Sequence, residues 1–293
     1  MAGREPAVGL LGEDDRVMVS LRRLLIAVAV LPLLVSGCTG DPEPRTEPSP
    51  SASSPTTSPS TAKPVPRPQE RACYRLTYAA AVAPTSDARG VACASRHTSQ
   101  TYAVGTLDTL VGGHLLAVDS DHVQAQVAAT CPRRLSGFLG GDAADLHLSM
   151  LRAVWFTPTV AESDAGADWY RCDVIAVASD QHLSPLSGRL GGVLNSAAGR
   201  DRYGMCGTDE PGTPDFVRVI CTADHTWRAI ATVDFPDARY PGTGAARDRG
   251  QGPCENAGRG VASDALSFQW GYEWPTADQW HAGQRYGLCW APD

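Results

Sequence analysis

The chain has almost no lysine. Lys63 stands alone; the other basic side chains among 25 are arginines, set against 32 acidic ones for a formal net charge of −7. An acidic balance without a basic patch excludes a nucleic-acid footprint. It also offers no general attraction to anionic lipid or to acidic wall polymers. A long apolar run is missing too. Leu24–Val35 spans only 12 residues, whereas a membrane-spanning helix needs roughly 20. The usual signatures of catalysis are absent: no G-x-S-x-G elbow, no H-E-x-x-H, no phosphate loop, no EF-hand loop and no C-x-x-C. Zinc sites draw ligands from close cysteine pairs, and none occurs, so the residues call for no metal and no cofactor.

What the chain does have is a repeated set of cysteines. Cys73, Cys93, Cys131 and Cys172 are separated by 20, 38 and 41 residues; Cys206, Cys221, Cys254 and Cys289 by 15, 33 and 35. The neighbours repeat as well. Val91-Ala92-Cys93 with His97 answers Val219-Ile220-Cys221 with His225, and Ala103 and Ala231 follow at equal distance. Pro158, Thr159, Gly166, Trp169 and Cys172 match Pro275, Thr276, Gly283, Tyr286 and Cys289 at one constant offset. The reading is one ancestral unit copied, with the cysteines stapling a scaffold. If each half closes on itself in the same way, three pairings remain. The favoured one is Cys73–Cys93, Cys131–Cys172, Cys206–Cys221 and Cys254–Cys289.

Disulfides persist in oxidising, exported compartments, and the N-terminal region agrees. Arg22-Arg23, the short apolar run and Val35-Ser36-Gly37-Cys38 read as an export signal over 1–37. Its end resembles a bacterial lipobox, so cleavage before Cys38 and lipid on its sulfur are expected. The acidic stretch before Met18 does not suit a signal, which makes Met18 the expected start. Residues 38–71 then form a disordered Pro/Ser/Thr tether, reaching about 100 Å if fully polyproline-like.

The folded part divides into subdomains at 72–190 and 200–293, with a glycine-rich joint between. Strands are expected at Gln100–Leu107, Phe216–Cys221, Trp227–Asp234, Trp169–Ile175 and Tyr286–Trp290. A helix is expected over Asp121–Phe138 with Pro132 kinking or restarting it, and a second beginning at Pro253-Cys254. The fold class is therefore α+β: two homologous disulfide-stapled subdomains, each a small antiparallel sheet with a packed helix.

Candidate sites are few. His97 and His225 recur in both copies; either they bind or transfer protons, or each caps a turn at the start of a strand. Carboxylates at Glu162, Asp164, Asp168, Asp209, Glu210 and Glu273 suit either acid–base work in a cleft or solvated surface. Trp274 and Trp280 belong to a dense aromatic group with Trp270, Tyr272, Tyr286 and Trp290, serving as core or as a binding platform.

The V-x-C-x-x-x-H element in both halves, a later helical cysteine and the ending Trp274-Pro275-Thr276, Trp280, Gly283, Tyr286, Cys289-Trp290 resemble the actinobacterial septum-formation domain family. The resemblance covers roughly 72–293, most clearly 206–293. It implies a small, extracytoplasmic, cysteine-paired domain linked to cell division and the envelope, with no catalytic residue to carry over. The expected function is a lipid-anchored binding or scaffolding module on the outer face of the cell membrane, not an enzyme. Its partners would be the membrane through Cys38, and envelope or division proteins or wall glycans. The alternatives are a wall-acting enzyme with carboxylates between the halves, and a carrier of a small ligand.

Overall fold

The computed structural model describes residues 66–293. The expected start at Met18, the signal, Cys38 and most of the tether lie outside the described residues. In chain order come β1 (Cys73–Tyr74), α1 (Tyr78–Ala81), β2 (Ser99–Thr106), β3 (Leu110–Val111), β4 (His114–Leu115), α2 (Asp121–Leu139) and α3 (Ala143–His147). β5 (Leu151–Phe156), α4 (Val160–Asp164), β6 (Trp169–Ser179) and β7 (His182–Ser184) complete the first half. A 3-10 turn at Val193–Asn195 and α5 (Ala197–Tyr203) lead into β8 (Met205–Gly207), β9 (Arg218–Ile220), β10 (Trp227–Asp234) and α6 (Thr243–Val261). β11 (Gly271–Glu273), α7 (Ala277–His281) and β12 (Tyr286–Pro292) end the chain.

The first sheet runs β1-β2-β6-β5, with β7 also on β6; the second runs β11-β12-β10-β8-β9. All named strand pairs are antiparallel. The class is thus α+β. Register is alike in the two sheets. β2 and β6 pair from Ser99↔Ile175 to Thr106↔Trp169, slipping between Thr101 and Ala103. β10 and β12 pair from Trp227↔Pro292 to Asp234↔Tyr286, slipping between Ala229 and Ala231. After each slip an alanine faces a cysteine: Ala103↔Cys172 and Ala231↔Cys289. A bulge of this kind re-aims side chains along one strand.

Four disulfides hold the elements: Cys73–Cys93, Cys131–Cys172, Cys206–Cys221 and Cys254–Cys289, with Cα separations of 5.3, 5.4, 5.0 and 4.9 Å. The second ties α2 to β6 and the fourth ties α6 to β12. Each helix buries residues spaced by four, which form one stripe of an α-helix. In α2 they are Val123, Val127, Cys131, Leu135 and Leu139. In α6 they are Ala246, Gly250, Cys254 and Gly258.

Both helices run through their proline. Pro132 does not restart α2, and α6 begins at Thr243, well before Pro253. A mid-helix proline removes one backbone hydrogen bond; here the disulfide beside it and the continuing buried stripe hold the helix together. The onset of α6 eludes the sequence because its buried stripe is alanine and glycine, with little hydrophobic signal.

Thr159 and Thr276 cap α4 and α7 through reciprocal boxes with Glu162 and Gln279. The Glu/Gln difference between the halves follows, since a capping box needs an acceptor and not a charge.

The described residues belong to one compact unit. Met150 N–H donates to Tyr203 C=O at 2.7 Å and Met205 N–H to Leu148 C=O at 2.8 Å, sewing the sheets together. A shared core joins Leu135, Leu151, Val174 and Ala176 to Ile220, Trp227, Leu288 and Trp290. The segment at 186–204 contributes to that core through buried Leu186, Leu190 and Leu194. No helix among the described residues is long and apolar enough to cross a membrane.

Candidate functional site

Where the two sheets meet, a cleft of about 250 Å³ opens. One wall is Tyr78, Met150, Val177, Ser179, Asp180 and Gln181; the other is Val217 and Arg218. Gln181 occupies the β6–β7 turn at φ +52°, and Val217 is 43% exposed. Arg218 on β9 donates to Glu273 on β11 at 3.0 Å. These are opposite edge strands of the second sheet, so the ion pair reaches from edge to edge and marks how strongly that sheet curls.

Two residues on from Met150, Arg152 donates to the carbonyls of Ser149 and Leu151 at 2.7 and 2.8 Å. Burial lowers its pKa, against the pull of Tyr286, while repulsion from Arg218 adds to the lowering. His147 of α3 stacks on Tyr286 of β12, ring centroids 3.6 Å apart. Burial lowers the His147 pKa, with Asp234 pulling the other way. The lining mixes apolar Met150, Val177 and Val217 with the hydroxyl, carboxylate, amide and guanidinium groups of Ser179, Asp180, Gln181 and Arg218.

The residues singled out from the sequence are spread over the molecule. His97 is fully buried, its Nδ1 bonded to Ser95 C=O at 2.8 Å and its Nε2 without a partner. His225 makes the same local bond, Nδ1 to Ala223 C=O at 2.7 Å, and its Nε2 lies 3.0 Å from Asp293 Oδ2. Arg228 Nε donates to that same oxygen at 2.6 Å. Burial pushes Asp293 up, but these bonds outweigh it and hold its carboxyl below the ordinary value.

Trp280 is 2% exposed and packs edge-on against Phe235 and Tyr240. Trp274 is half-buried beside Tyr272. Of the four candidates, then, only His225 and Trp274 reach the surface. Glu162 and Glu273 are engaged in a helix cap and an ion pair, and Asp168 approaches Arg67 at 4.0 Å.

The groups buried in the first sheet carry no local pattern that marks them as core. Arg171 and Asp173 on β6 are 3% and 0% exposed and lie 3.1 Å apart. Asp173 accepts from Ser99 and Thr101 at 2.8 and 2.7 Å. The Arg171 guanidinium sits between the rings of Tyr74 and Phe156, at 4.1 and 4.3 Å. Burial raises the Asp173 pKa, and Arg171 is the chief force opposing it. Asp293, Arg218 and this pair were all missed because each acquires its role only from a partner far off in the chain.

Fold and bridges together define a disulfide-stapled α+β domain of the extracytoplasmic kind. The chain belongs to the septum-formation family, whose model matches residues 72–289. This ties it to cell division and the envelope. No curated protein and no solved structure matches the chain.

Proposed function

We propose that the chain is a lipid-anchored binding or scaffolding module of the cell envelope, acting at septum formation without catalysing a reaction. The two halves are copies of one unit, folded over 72–190 and 200–293. Lipid on Cys38 fixes the chain to the outer face of the membrane, and the Pro/Ser/Thr tether between Cys38 and the described residues gives the domain reach. A division or envelope protein, or a wall glycan, is held at the cleft where the halves meet.

The observation that carries the reading is the matched register of β2–β6 and β10–β12, slip for slip. Apart from the shared alanine–cysteine pair, the matched backbone positions hold different side chains. A scaffold repeated without its side-chain chemistry suits a bearing surface better than a reaction centre. Extracytoplasmic bridges and the family's link to septum formation support the location.

The test has two arms. A labelled lipid precursor should mark the wild type and not Cys38→Ala, which should leave the membrane fraction. A photo-crosslinker at Val217 or Gln181 should capture a division or envelope component in growing cells, and one at Asp248 on α6 should not. A Cys38→Ala chain retained on the membrane refutes the anchor. Equal capture from both faces refutes the cleft.

A further inference from the structure

We propose that opening the Cys206–Cys221 disulfide creates a zinc site. Its ligands are the two thiolates, His225 Nε2 and the Asp293 carboxylate.

The atoms are already gathered. Cys206 Sγ, a ring nitrogen of His225 and a carboxylate oxygen of Asp293 all lie within 4.8 Å of one another. Ligand atoms around tetrahedral zinc sit roughly 3 to 4 Å apart, given bonds of about 2.0–2.3 Å. Side-chain rotation closes the difference. Cys221 is joined to Cys206 across a Cα separation of 5.0 Å, so both sulfurs stay close once the bond opens.

The histidine is set for the task. In the neutral ring, donation from Nδ1–H to Ala223 C=O leaves the lone pair on Nε2. Metal-binding histidines are oriented by this kind of second bond. That lone pair faces Asp293 Oδ2 at 3.0 Å. Two electron-rich atoms at this distance call for a cation between them, either a proton or a metal ion. Arg228 holds Oδ2 in place and leaves Oδ1 to turn toward the metal.

The bridge is also reachable. Cys221 is partly exposed, whereas Cys131, Cys172, Cys254 and Cys289 are buried. A dithiol reductant attacks Cys221 Sγ, the S–S bond breaks, and the reductant leaves as its own disulfide with two protein thiols formed. Zinc then displaces the two thiol protons. The first half lacks the site. His97 repeats the backbone bond beside Cys73–Cys93, but its Nε2 is buried without a partner, and Ala176 stands where Asp293 would be.

The test uses the purified full chain, opened with a phosphine reductant and titrated with Co²⁺. The expected result is one equivalent bound, with thiolate-to-cobalt charge-transfer absorption and tetrahedral d–d bands that Zn²⁺ bleaches. Zinc should shield Cys206 and Cys221 from alkylation and leave Cys93 reactive. His225→Ala and Asp293→Ala should each weaken binding by at least about 10-fold, the scale of losses at metal shells. Asp293 lies at the surface, so its variant keeps the fold and separates binding from stability. A reduced, folded chain without the charge-transfer band overturns the proposal. So does a band indifferent to both variants, or zinc protection that maps to Cys73 and Cys93. If reduction unfolds the chain, refolding on zinc addition supports the site, and failure to refold overturns it.

Discussion

The two sheets hold opposite chemistry at matching places. On β6, Arg171 and Asp173 point into the protein, and Ser99 and Thr101 answer from β2. The corresponding residues on β12 are Leu288 and Trp290, and on β10 Trp227 and Ala229. The first set is ionic and hydroxylic; the second is apolar and part of the shared core. The same register, the same slip and a helix–strand disulfide serve both. The ladder and the staple fix the backbone, then, and the buried side chains are free to differ provided each set is self-consistent. Asp173 tolerates burial because it accepts from two hydroxyls and faces a guanidinium, and Arg171 because two aromatic faces flank it.

The largest expected effect comes from breaking that consistency. Asp173→Ala leaves Arg171 buried without its counter-charge and should cost about 3–5 kcal/mol. The thermal midpoint should fall by on the order of 10 °C. Arg171→Leu combined with Asp173→Leu imitates the second sheet and should cost less than the single change. Denaturant melts of the three proteins decide it. A double variant as unstable as the single one would mean that the first sheet needs its charges for something other than self-consistency.

The helices differ in a second way. α2 presents Val127 and Leu135 to its sheet, where α6 presents Gly250 and Gly258. A Cβ on Gly250 would run into the Tyr272 ring, and one on Gly258 would come within 2.7 Å of Trp270 Cβ. The second half carries on its sheet the bulk that the first carries on its helix. In each half a tyrosine hydroxyl donates to a helix carbonyl: Tyr102 to Cys131 at 2.7 Å, and Tyr272 to Ala246 at 3.1 Å. Burial pushes Tyr272 up to about 12, with Arg249 opposing, so it stays a donor at all ordinary pH. Gly250→Val, which copies α2, should cost about 1–3 kcal/mol by overpacking. Adding Tyr272→Ala should give a total below the sum of the two single costs, by at least about 0.5 kcal/mol. Strict additivity in urea melts would mean that the ring is not what excludes the side chain.

Much of the architecture was legible in the sequence, and the reason is periodicity. Cysteine spacing, repeated with its neighbours, is a long-range signal that survives without coordinates, and it was enough to read a stapled α+β fold. Strand β10 was legible to the residue because Trp227, Ile230, Thr232 and Val233 are strand-favouring side chains. α2 was legible because its stripe is valine and leucine. The rest fails for physical reasons. A stripe of Ala and Gly carries close approach but no hydropathy, so α6 loses its first half. Thr159 with Glu162 and Thr276 with Gln279 carry the S/T-x-x-E/Q signal of a capping box; reading it would have explained why the acid need not recur. Charged residues inside a strand read as its wet face, so Arg171 and Asp173 were invisible as core. The cleft takes its walls from α1, the β6–β7 turn and the start of β9, a meeting that no local pattern announces.

The smallest expected effect tests how the halves are joined. His147 belongs to the first half and Tyr286 to the second, and their rings stack within 7° of parallel. Burial lowers the His147 pKa, with Asp234 opposing. A histidine with a depressed folded pKa gives its full contribution above the unfolded value of about 6.5 and loses it as pH falls through the folded value, because the unfolded chain takes the proton first. Stability should therefore decline as pH drops from neutral through about 6.5 and below, and His147→Gln should flatten part of that decline. At neutral pH the same substitution should cost only roughly 0.5 kcal/mol, as at other half-exposed positions. Thermal melts at several pH values read both. Parallel profiles for wild type and variant would show that the proton uptake lies elsewhere. The stack would then join the halves by packing alone, beside the apolar core and the two backbone bonds at Met150 and Met205.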